Sequence, residues 1–159
     1  YEKENRRRTK TQTTKIRGLK LTGEIVYLLP CSGIGKVFGS IGREAAYIVV
    51  NELAKGKADT ECLPLIVKGK KETIDKLKLN KVIVIDGCPL KCAYNNVLEA
   101  VGKIDAQFLS IDILKENRDL KPERSIYLLG ENAKKLSRKL AEKIAQKVNE
   151  LLEEKRNGG

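Results

Sequence analysis

The sequence predicts a three-layer α/β/α domain built on a mainly parallel sheet of four to five strands. Two observations carry this expectation. First, Ile25–Leu29 and Val82–Ile85 are apolar at every successive position rather than at alternate ones. A strand reads that way when both of its faces are buried, as in a parallel sheet covered by helices. Second, stretches with apolar residues at helical spacing separate the strand-like runs, so strands and helices alternate along the chain.

Each element follows from local pattern. The first strand is expected over Glu24–Leu29, between Gly23 and Pro30. Gly33, Gly35, Gly39 and Gly42 crowd the connection after it, and Val37, Phe38, Ile41, Ala45, Ile48, Val49 and Leu53 then recur as one face of a helix ended by Lys55-Gly56. Thr60–Val67 reads as an extended stretch interrupted by Pro64, and Glu72–Leu79 as a short helix. Lys81–Ile85 is the clearest strand. A helix over Leu90–Val101 follows it, with Ala93, Val97, Ala100 and Val101 on its apolar side. Alternation predicts a strand over Ala106–Leu114, and an apolar run a further one over Arg124–Leu129, stopped by Gly130. From Asn132 a final helix carries Ala133, Leu136, Leu140, Ile144, Val148 and Leu151 in one stripe. The pattern as a whole is Rossmann-like. In such sheets ligands bind outside the carboxyl ends of the strands, where the strand order reverses.

The chain of 159 residues is long enough to bury a core without crosslinks. Its formal charge of +11 is uneven: residues 1–20 contribute +6, residues 21–130 only +2, and residues 131–159 the remaining +3. The chain thus divides into a basic tail over 1–20, without apolar periodicity and expected to be disordered, and a single α/β domain over 21–155. Arg6-Arg7-Arg8 would allow phosphate contact, so nucleic acid is a conceivable partner through the tail alone. No basic-plus-aromatic motif points to base readout. No apolar run approaches the roughly 18 residues of a spanning helix, so no membrane partner is expected. The tail lacks the apolar stretch of a signal peptide. The expected location is the cytoplasm, where cysteines serve metal or redox chemistry more often than structural disulfides.

The chain holds four cysteines, Cys31, Cys62, Cys88 and Cys92, and no histidine. Cys31 follows the first strand, and Cys88 follows Lys81–Ile85 through Asp86-Gly87. Two strand exits would therefore deliver thiols to one edge of the sheet. Any transition-metal site must be made of thiolates, perhaps joined by a carboxylate, which suits zinc (Zn2+) or an iron–sulfur cluster. The Cys88-x-x-x-Cys92 spacing places one thiol on a loop and the next in the first turn of a helix, with Pro89 suited to that helix's first position. Helix N-termini after Cys31 and Cys88 would stabilise thiolate charge. The same spacing does not complete a radical-SAM C-x3-C-x2-C motif, because residue 95 is Asn. The plain alternative is that these cysteines are small core residues.

Asp86 has two compatible readings, as a metal ligand or general base and as a helix cap. Asp86 and Cys88 are thus the catalytic candidates. Ser32, Gly33 and Gly35 form a glycine-rich turn between strand and helix, where backbone amides could meet an anion or a bound cofactor. Val37 after Gly35-Lys36 lacks the hydroxyl of a P-loop, and the third dinucleotide glycine is out of place.

Cys31-Ser32-Gly33, Cys62-Leu63-Pro64 and Asp86-Gly87-Cys88-Pro89-x-x-Cys92-Ala93 together resemble the DGC-domain proteins, over roughly residues 24–130. These are small prokaryotic proteins regarded as zinc-binding on account of four cysteines. The resemblance implies that Cys31, Cys62, Cys88 and Cys92 act as one metal site, and it supplies no reaction. Three functions are then expected in order: a four-thiolate zinc or iron–sulfur protein; a thiol enzyme for sulfur transfer or disulfide exchange through Cys88 and Cys92; and a binding or scaffolding domain whose long terminal helix and basic tail contact a partner, the partner overall being an unidentified small molecule or protein.

Overall fold

The computed structural model describes residues 25–31, 33, 35–125 and 128–157. The expected basic tail lies outside the described residues.

Four parallel strands form the sheet in the order β2-β1-β3-β4. They are β1 (Val26–Pro30), β2 (Ala58–Thr60), β3 (Lys81–Asp86) and β4 (Ala106–Leu109). The chain moves outward from β1 to β2, then crosses back to the other side of β1 for β3 and β4. The order therefore reverses between β1 and β3, the two central strands. Pro30 pairs with Ile85 at the carboxyl end of this pair, and the Cys31 amide extends the ladder by donating to the Ile85 carbonyl at 2.8 Å.

The helices are α1 (Val37–Ile48), α2 (Leu63–Val67), α3 (Lys71–Leu79), α4 (Cys92–Val101), α5 (Ile113–Glu116) and α6 (Glu131–Asn157). Pleating sends successive strand residues to opposite faces, and the two cores follow that alternation. Val26, Leu28, Ile83 and Ile85 are buried under α1 and α6, together with Ile41, Leu136, Leu140 and Ile144. Tyr27, Leu29, Cys31, Val82 and Val84 are buried on the other face, against Leu63 and Ile66 of α2, Leu77 of α3, and Ala93, Val97 and Val101 of α4. The three-layer parallel architecture expected from the sequence is the one observed.

Several boundaries differ from expectation. The helix expected to run to Leu53 changes from α to a π-helical turn at Val49–Leu53. The extended stretch expected at Thr60–Val67 is instead the end of β2 followed by α2, with Pro64 in the first turn of that helix, where a missing N–H costs nothing. The strand expected to reach Leu114 stops at Leu109 and passes through a 3-10 turn, Ser110–Asp112, into α5. Of the strand expected at Arg124–Leu129, residues 126 and 127 lie outside the described residues. The remaining four are not in a strand, and Leu128 is exposed. The last helix begins at Glu131.

Ser110 is fully buried where β4 leaves the sheet, and its hydroxyl has no hydrogen-bond partner among the described residues. It sits close against Gly42 of α1, where an added Cβ would lie 2.6 Å from the Ser110 Oγ. A buried hydroxyl without a partner is a net cost of about 1 kcal/mol or more. Ser110→Ala is therefore expected to leave stability unchanged or to raise it by about 1 kcal/mol. Urea denaturation of the two proteins would show this as an equal or higher midpoint; a lower midpoint would mean that the hydroxyl has a partner that the fold does not reveal.

Candidate functional site: a thiol-lined pocket at the strand exits

A pocket of about 290 Å³ opens at the carboxyl ends of β1 and β3, where the strand order reverses. Cys31, Cys88 and Cys92 all line it, with Gly33, Lys36, Gly39, Asp86, Gly87 and Leu90. Three of the four cysteines, far apart in sequence, are thus brought to one cavity. Charge on Asp86, Cys92 or Cys88 reaches Cys31.

Each thiol is delivered differently. Cys31 continues β1, is 8% exposed, and points to the face covered by α2, α3 and α4. Burial pushes its thiol above the usual range, against the Gly87 amide, which donates to the Cys31 Sγ at 3.2 Å and pulls the other way. The sequence suggests a helix N-terminus favouring the thiolate; the largest influence on Cys31 is its removal from water, which raises the thiol, and the helix begins only at Val37. Cys88 lies half-buried on the loop after β3, and Cys92 is the exposed first residue of α4.

Cys62 is not among the lining residues. It is exposed and precedes α2, at the exit of β2 beside β1. It therefore emerges from the same edge of the sheet, in front of the helix that covers Cys31. Its amide donates to the Glu61 Oε1 at 3.1 Å. The other Glu61 oxygen pairs with Lys76, whose ammonium stands 5.0 Å above the ring of the buried Tyr27. Among the described residues, no three thiol or carboxylate side chains stand close enough together to hold a metal ion.

Asp86 ends β3 with 1% exposure. Its Oδ1 accepts the Ala93 amide at 2.8 Å and its Oδ2 accepts the Tyr94 amide at 3.1 Å. Both oxygens are committed to the first turn of α4, so the capping reading is the one that the geometry fills. Pro89 does not open that helix, as its position had suggested. Residues Cys88–Lys91 instead form a turn closed by the Lys91 amide on the Cys88 carbonyl at 3.2 Å, and Lys91 takes φ = 51°. Left-handed backbone is uncommon for a residue with a side chain, and such strain collects at functional loops.

The glycines have a packing explanation. A Cβ added to Gly39 would lie 2.3 Å from the Gly33 Cα, and one added to Gly87 would lie 2.7 Å from the Gly39 nitrogen. The loop after β1, the first turn of α1 and the loop after β3 thus meet backbone to backbone. This three-way contact holds two pocket walls together. Of the expected anion-binding turn, Gly33 lines the pocket with φ = 55°, Gly35 is exposed and outside the lining, and Ser32 lies outside the described residues.

Lys36 and Leu90 are pocket residues that the sequence motifs do not mark as candidates, whereas Gly39 and Gly87 stand in those motifs without a role of their own. For Lys36 the signal was present, as the residue closing a glycine-rich strand-to-helix turn. α1 starts directly after it, with no side-chain cap and no acid in its first turn.

The family model of the DGC domain matches residues 27–148. The chain belongs to the DGC-domain family. The match takes in most of α6 and the whole sheet except Val26, so it reaches further toward the C-terminus than the motifs alone suggest. It also covers all four cysteines of this DGC domain. No curated protein matches the chain. No solved structure matches it either. Among the described residues, no helix is long and apolar enough to cross a membrane.

Proposed function

We propose that this DGC domain is a metal-binding protein whose cysteines hold zinc at the carboxyl edge of the sheet. One observation carries the reading: Cys31, Cys88 and Cys92 line a single cavity at the reversal point of the strand order. The donor chemistry fits zinc, because thiolates are its common structural ligands and the chain offers no imidazole. Asp86 is a poor competitor for the metal, with both oxygens engaged by α4. Cys62 is the natural fourth ligand, supplied by the neighbouring strand exit. Reaching the pocket would require movement of the exposed loop between β2 and α2, and the three cysteines that line it would have to draw closer together, since among the described residues no three such side chains stand close enough to hold an ion. Bound zinc would offset half of the charge of four thiolates and tie three strand exits together.

Anaerobic purification with zinc, iron and acid-labile sulfide measured together tests this. Stoichiometric zinc in a colourless protein is expected, lost in Cys88→Ser and in Cys31→Ser while the far-ultraviolet circular dichroism is retained. Iron with matching sulfide would replace zinc by a cluster on the same thiols. Protein that takes up neither, with Cys88 and Cys92 exchanging rapidly with a disulfide reagent, would favour thiol chemistry instead.

A further inference from the structure

We infer that the pocket binds a small organic anion, its charged group facing Lys36 and its apolar part lying along Leu90. The ligand shares the pocket with the proposed metal, but the inference rests on the cavity and its lining rather than on the metal.

Size is the first argument. A water molecule occupies about 30 Å³ of liquid, so a cavity of about 290 Å³ has room for about ten. A metal ion held by sulfurs at about 2.3 Å fills only a small part of that. The volume lies at the small end of ligand pockets, which begin near 300 Å³.

Charge is the second. The two lining residues with formally charged side chains are Lys36 and Asp86. The Asp86 carboxylate is buried, and its charge is met by two amides at the positive end of α4. Lys36 is exposed, and no carboxylate stands within ion-pair distance of it among the described residues. Its ammonium is thus the uncompensated charge of the cavity, and it favours an anion. Four thiolates on a divalent metal would leave two negative charges, of which Lys36 offsets one, so the anion is favoured in the metal-free form.

The third argument is apolar. Leu90 lines the pocket and yet is 68% exposed, on a strained turn between two thiols. A large apolar side chain at the rim of a cavity gains by being covered, and an inorganic ion covers little. A short-chain carboxylate meets both walls.

Amide chemical-shift titration of the reduced full chain, metal-free and zinc-loaded, tests the site with butyrate as probe and butyramide as its neutral match. Butyrate is expected to give saturable shifts at the amides of Gly33, Gly39, Gly87 and Leu90 in the metal-free form, and weaker binding in the zinc-loaded form. Butyramide and the Lys36→Met protein should each bind about tenfold more weakly, the loss expected for one charge-assisted contact. Lys36→Arg should retain binding, and Leu90→Ser should weaken it. Equal binding of the two probes, no effect of Lys36→Met, or no saturable shift in either form would overturn the inference. Zinc uptake without butyrate binding overturns this inference alone; butyrate binding by protein that takes up no metal overturns the metal reading alone.

Discussion

Gly39→Ala is expected to destabilise the fold by about 3 kcal/mol, the upper end of the range for overpacking. Alanine is the better helix former by about 1 kcal/mol, and position 39 lies inside α1, so propensity alone would predict a gain. Contact decides otherwise. The new methyl would stand 2.3 Å from the Gly33 Cα and 2.6 Å from its carbonyl oxygen, and neither is the movable end of a side chain. Backbone must separate, and what separates is the loop after β1 from the first turn of α1. Because Gly87 meets the same turn, the loop carrying Cys88 is displaced with it. Gly35→Ala is the control. It has φ = 94° but nothing within 4 Å, so it should cost only its conformational strain, about 1–2 kcal/mol. Urea midpoints at unchanged m-value would measure both. A Gly39→Ala protein as stable as its parent would show that the backbone contact is not what joins the pocket walls.

The same contact shows what the sequence revealed and what it hid. Val82–Ile85 could be read as a central strand because both of its faces are covered, and an unbroken apolar run has no other simple cause. The positions of Cys31 and Cys88 at the ends of adjacent strands followed from those runs. Edge elements were harder. β2 spans only Ala58–Thr60 and is half-buried beyond its first residue, so its apolar signal is weak, and the short run Leu63–Val67 beside it reads as extended although it forms α2. The glycines were visible, but their partner was not. They suggested a bound anion, while the approach of Gly33, Gly39 and Gly87 depends on which loops the topology brings together. Caps supplied from a distance are hidden for the same reason. Glu123 accepts the Asn132 and Ala133 amides at the start of α6, across a gap in sequence that no local capping motif spans. Those amides and its own hold the Glu123 carboxyl below its usual range.

Asp86 belongs to that group, and its removal is the second large effect expected. Asp86→Ala should cost about 3 kcal/mol, because it removes two charge-assisted hydrogen bonds, each worth about 1.5–3 kcal/mol and not fully additive. It leaves the Ala93 and Tyr94 amides without their acceptor, one of them on a fully buried residue. Lys91 cannot replace the lost cap, since its side chain is cationic and its backbone already left-handed. Asp86→Asn should fall between the two, at about 1–2 kcal/mol, as its carbonyl can accept one amide while its NH₂ faces the other. The Asn variant also separates the two roles of this residue. If Asp86 serves only α4, Asp86→Asn lowers the urea midpoint but leaves zinc stoichiometry intact in the folded protein. If the carboxylate is itself a ligand, zinc is lost before stability is. In the first case the aspartate of the Asp-Gly-Cys motif matters to metal binding through where it points the first turn of α4, and with it Cys92, rather than through direct contact.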